Sequence, residues 1–134
     1  MKPIDDIEGI GDSYKKKLAA AGIDSVEALL KAACDKKGRK SLAEKTAISE
    51  KLILKWANMA DLFRIKGVAS QYAELLELAG VDTVKELATR NAANLHAAMT
   101  AANEKKNVTK QVPAEKVVTG WIAEAKSLPP KITH

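Results

Sequence analysis

Two stretches of the chain carry residue types whose spacing suits chemistry. The first is Ile7-Glu8-Gly9-Ile10-Gly11, followed closely by Lys15-Lys16-Lys17. The second is Ile65-Lys66-Gly67-Val68-Ala69, followed by Gln71, Glu74 and Glu77 with no basic residue among them. A Gly-hydrophobic-Gly turn that opens a helix leaves successive backbone N–H groups free, and small residues let an anion come close. The chemistry on offer is therefore non-covalent anion binding. Glu8 and Asp12 flank the first pair of glycines and oppose a phosphate arriving there. Basic clusters at 15–17, 36–40 and 105–106 read equally as solvated helix faces or loops.

Covalent and metal chemistry finds much less support. There is no Ser/His/Asp order, no Gly-rich phosphate loop ending in Lys-Ser/Thr, and no close carboxylate pair beyond Asp5-Asp6, which suits a helix start. His96 falls in an Ala-rich segment and His134 is the last residue, so neither has a partner cluster. Cys34 has Lys31, Lys36 and Lys37 nearby, but next to Ala32 and Ala33 it reads better as a small apolar residue than as a reactive thiol. One Cys and two His are too few for a zinc site within one chain, and one thiol excludes an internal disulfide. No enzyme, cofactor or metal site is expected. Trp56 and Trp121 read as core anchors in preference to base-stacking platforms.

The elements that must position these stretches repeat. At an offset of 58 residues Gly9 matches Gly67, Tyr14 matches Tyr72, Leu18 matches Leu76, and Ala21-Gly22-Ile23-Asp24-Ser25-Val26 matches Ala79-Gly80-Val81-Asp82-Thr83-Val84. Glu50-Lys51-Leu52-Ile53 with Trp56 returns as Glu115-Lys116-Val117-Val118 with Trp121 at an offset of 65, so the second copy holds seven extra residues. Recurrence of glycines, Tyr, Asp and Trp in order marks an internal repeat, about 4–62 and about 63–128. Local signals predict helices over about 12–21 and 70–79, each ended by a glycine in the left-handed conformation at Gly22 or Gly80. Asp24-Ser25 and Asp82-Thr83 cap the next helices. Further helices are expected over about 42–45, 50–63, 92–103 and 114–127, with Ser49 capping the one over 50–63 and Pro113 in the first turn of the last. No segment alternates as a strand.

The order of hairpin, helix, capping glycine and Asp-Ser/Thr resembles the helix-hairpin-helix modules of nucleic-acid-binding proteins. The tandem form resembles a bacterial domain-of-unknown-function family built from two such motifs, over about 4–130. The resemblance implies an all-α fold of two pseudo-symmetric repeats in one compact domain, 1–134. It also implies phosphate held by hairpin amides, in some relatives with a monovalent cation on the hairpin carbonyls. Carried over by position, the phosphate binders are Gly9, Ile10 and Gly11, with Lys15, Lys16 or Lys17 behind them. A second set is Lys66, Gly67, Val68 and Ala69. Ala69 and the acidic helix after it make the second hairpin look like a packing element.

Composition agrees with small packed helices. The 134 residues are 46% hydrophobic with only five aromatics, and 23 are Ala and 13 Leu. Net charge is +5, from 22 Lys plus Arg against 17 Asp plus Glu, which permits nucleic acid without requiring it. No apolar run approaches a membrane span and the first residues lack a signal peptide's apolar stretch, so a cytoplasmic protein with no membrane contact is expected. Two functions stand. One is a weak, sequence-independent module on the DNA or RNA backbone. The other is a protein-interaction or scaffolding module on the same fold. No motif specifies an oligomeric state. Finally, the helix at 50–63 leads straight into the second hairpin, so Trp56 is expected beside that hairpin and Trp121 folded back beside the first.

Overall fold

Helix caps written in the sequence account for most element boundaries. In the computed structural model, which describes residues 2–134, the Ser25 hydroxyl accepts from Ala28 N–H at 3.1 Å and the Thr83 hydroxyl from Glu86 N–H at 3.2 Å. These caps start α2 (Val26–Ala33) and α6 (Val84–Leu87). Before them, α1 (Asp12–Ala20) and α5 (Ser70–Leu78) both end at a glycine with φ of +85° or +96°. Each glycine closes a Schellman pair, Ile23 N–H to Leu18 O at 2.9 Å with Gly22 to Ala19, and Val81 N–H to Leu76 O at 2.8 Å with Gly80 to Glu77.

Asp35 accepts from Gly38 N–H at 2.7 Å and starts α3 (Lys36–Thr46). Asn91 accepts from Asn94 N–H at 3.0 Å and starts α7 (Ala92–Lys106). The remaining helices are α4 (Glu50–Leu62), to which Ser49 supplies the cap, and α8 (Glu115–Ser127). A 3-10 turn, Ile4–Asp6, precedes the first hairpin. Among the described residues the chain is all-helical, with no strand and a single isolated bridge between Pro3 and Ser25.

The chain forms two compact units, 1–61 with 131–134, and 62–130. In the first, α2 packs on α3 and on the 3-10 turn, and α1 on both of those. Its core includes Ile4, Ile7, Leu18, Leu29, Ile53 and Trp56, all buried. In the second, α8 packs on α6 and α7, and α5 on α7. Leu75, Leu76, Leu87, Met99, Val118 and Trp121 are buried there.

Some boundaries differ from expectation, and α7 runs three residues past 103 to Lys106. The lysine-rich 36–40 segment is helix from Lys36 onward, where only 42–45 was expected. Gly38 and the charge run hid it, whereas the Asp35 cap and burial of Arg39, 4% exposed, stabilise it. The last helix starts at Glu115, after Ala114, and not at Pro113.

Candidate nucleic-acid interface

The first hairpin is built by a turn in which Ile10 N–H donates to Ile7 O at 3.2 Å and Gly9 takes φ +96°. A side chain is disfavoured there twice over. The backbone is left-handed, and an added Cβ would lie 3.4 Å from the Trp56 indole Nε1. The second hairpin matches: Val68 N–H to Ile65 O at 3.1 Å, Gly67 at φ +91°, and the Trp121 Nε1 at 3.4 Å from an added Cβ. Tyr14 meets Trp56 edge-on with ring centroids 5.0 Å apart, and Tyr72 meets Trp121 at 5.5 Å.

The two tryptophans therefore sit opposite to the expected exchange. Trp56 packs on the first hairpin and Trp121 on the second. Chain order suggested that a helix feeding a hairpin would also cover it. Instead, each Trp helix packs on the glycine turn of its own unit, where a glycine without a Cβ leaves room for the indole edge. At 1% and 4% exposure, both rings are core anchors and are closed to base stacking.

Gly9, Gly11, Asp12 and all three lysines of α1 are exposed, while the expected phosphate binder Ile10 is buried and its N–H is taken by Ile7 O. Gly11 is the N-cap of α1, with no side chain to cap it. Among the described residues, the N–H groups of Glu8, Gly11, Asp12 and Ser13 meet no acceptor of the chain. Lys15 Nζ lies 3.4 Å from Asp5 Oδ2 in a half-exposed pair, and Lys17 Nζ lies 5.8 Å from the Tyr14 ring centroid. Lys16 is exposed beside them. Three consecutive helical residues point in three directions about 100° apart, so one phosphate meets two of them at most.

The second hairpin is occupied by the chain's own anion. Lys66 N–H donates to Glu124 Oε1 at 3.2 Å and to Oε2 at 3.3 Å. Val68 is buried, and Ala69 N-caps α5 without a side-chain bond. Sequence reading missed Glu124, although its place was signalled. It lies three residues after Trp121, one helical turn along the same face, and the equivalent residue after Trp56 is Met59, which is buried.

The remaining candidates do not converge. Cys34 is half-buried, its Sγ lies 3.5 Å from Lys31 O, and its carbonyl accepts from Thr133 N–H at 2.8 Å. His96 is on α7 and His134 is exposed. Among the described residues no three His, Cys, Asp or Glu gather as metal ligands, and no helix is long and apolar enough to cross a membrane.

A family model, Domain of unknown function (DUF4332), matches residues 8–128. The chain belongs to the DUF4332 family. Glu8–Gly11 of the first hairpin, the whole second hairpin, both Tyr–Trp pairs and Glu124 lie inside the matched DUF4332 region. No curated protein and no solved structure is significantly similar to the chain.

Proposed function

We propose that each repeat is a helix-hairpin-helix motif and that the protein holds the phosphate backbone of cytoplasmic DNA or RNA, without base specificity, at the first hairpin. One observation carries this reading. At the second hairpin the turn's amide already binds a carboxylate, Glu124, at 3.2 and 3.3 Å, so the geometry of this turn accepts an oxyanion. The first hairpin has the same turn with Met59 in the place of Glu124, and the Glu8 N–H, equivalent to that of Lys66, meets no acceptor among the described residues. An external oxyanion fills that role, with the α1 N-terminus and the adjacent lysines adding positive potential.

The Lys15–Asp5 pair does not block this site. An exposed ion pair at 3.4 Å is worth at most about 1 kcal/mol, so the lysine exchanges its carboxylate for phosphate at little cost. Amides and lysines read charge and position, so duplex and single strands of any sequence should bind alike. Few phosphates are neutralised. The slope of log K against log salt is expected to be shallow, roughly −2 to −4, with micromolar or weaker affinity at physiological salt.

Fluorescence anisotropy with short labelled duplexes and single strands at two salt concentrations tests the proposal. Replacing Lys15, Lys16 and Lys17 together by Ala should flatten the slope and leave the fold intact. Absence of salt-dependent binding in dilute buffer, or a slope that the triple variant does not change, overturns it.

A further inference from the structure

In the unit formed by residues 62–130, α5 and α7 leave an apolar groove of about 360 Å³ on the surface. Leu78 lines one side and is 43% exposed, one of two large apolar side chains so exposed among the described residues. Ala98, Ala101 and Ala102 line the other side, with Lys105 and Lys106 at its end. Positions 98, 101, 102 and 105 follow i, i+3, i+4, i+7 and form one face of α7. No carboxylate lines the groove, and among the described residues no carboxylate pairs with either lysine.

We infer that this groove docks an amphipathic helix of a partner protein, with apolar residues against Leu78 and the alanines and carboxylates against Lys105 and Lys106. The small side chains on α7 let a second helix backbone come close, and an exposed Leu offers the anchor that such grooves use. Eight residues of α7 span about 12 Å, which matches two turns of a docked helix. The two lysines decide the charge of the occupant. An apolar floor gives nucleic acid nothing to bind. The inference is independent of the phosphate site at the first hairpin, which lies in the other unit.

The probe is a synthetic helical peptide with leucines at i, i+3 and i+7 and glutamates at the end that meets the lysines, and the control carries lysines instead of glutamates. Titrated into isotope-labelled full-length protein, the acidic peptide should shift amide resonances at Leu78 and across 98–106, and the basic control should not. Leu78→Asp, at an exposed position, should abolish the shifts while leaving the circular dichroism unchanged. Lys105→Glu with Lys106→Glu should weaken the acidic peptide about tenfold or more and bring the basic control into binding, as charge complementarity requires. Shifts elsewhere, no shifts at millimolar peptide, or indifference to both variants overturns the proposal. So does concentration-dependent self-association that Leu78→Asp abolishes, since that result assigns the groove to a second copy.

Discussion

Gly9 and Gly11 stand two residues apart in one turn, yet they do different work. Gly9 has φ +96° with the Trp56 indole edge against it, so its requirement is structural. Gly11 has φ −92°, and an added Cβ would meet nothing within 4 Å. Its smallness matters only to something that approaches from outside. Gly9→Ala is therefore expected to cost about 1–2 kcal/mol from the left-handed backbone alone, and Gly67→Ala a similar amount. On the proposed phosphate reading, Gly11→Val should abolish nucleic-acid binding, because its branched side chain fills the space a phosphate oxygen needs, while the thermal midpoint falls only by the modest cost of Val at an N-cap. Binding by Gly11→Val as tight as wild type would place the phosphate elsewhere. Glu8→Gln with Asp12→Asn should tighten binding in the same anisotropy assay, since both carboxylates are exposed beside the free amides.

Helices bring these residues together, and their packing predicts two sign-specific effects. Gly→Ala inside a helix ordinarily stabilises by about 1 kcal/mol. At Gly38 the sign reverses: an added Cβ would run into the Ala32 carbonyl and come within 2.9 Å of Asp35 Oδ1, the atom that caps α3. Gly38→Ala should lower the thermal midpoint, and an unchanged or raised midpoint would contradict this packing. The tryptophans make the second case. Trp56→Ala and Trp121→Ala should each cost about 3–5 kcal/mol, as for any large aromatic lost from a core. Hydrogen exchange should then speed up at Gly9–Tyr14 for the first variant and at Gly67–Tyr72 for the second, the reverse of what chain order suggested.

For the whole molecule, the notable connection is the return of the last residues to the first unit. Ile132 is buried, Thr133 N–H donates to Cys34 O at 2.8 Å, and Arg39 Nη2 donates to Thr133 O at 2.6 Å. Arg39 also donates to Ala33 O at 3.0 Å through Nη1, which satisfies a helix-end carbonyl of α2. Removing 131–134 exposes the Ile132 site and leaves Arg39 short of an acceptor, for a loss of about 3 kcal/mol from apolar burial and hydrogen bonds together. Chemical denaturation of the truncated chain measures it. A midpoint within error of the full chain would show that the contact contributes nothing.

Local rules made much of this protein legible from its residues alone. Caps at Ser25, Ser49 and Thr83, glycines at 9, 22, 67 and 80, and helical spacing of apolar residues act within four or five positions of themselves, so an all-helical chain can be read directly. The α3 segment escaped because what holds it, the burial of Arg39 against Ala33 and Thr133, comes from 94 residues away at its far end. The seats of Trp56 and Trp121 and the Glu124 carboxylate on Lys66 were likewise decided by tertiary structure. Periodicity tells which face of a helix is apolar and leaves open which hairpin that face meets. Only closure of each unit around its own glycine turn resolves that choice, and with it which turn receives a carboxylate of the chain.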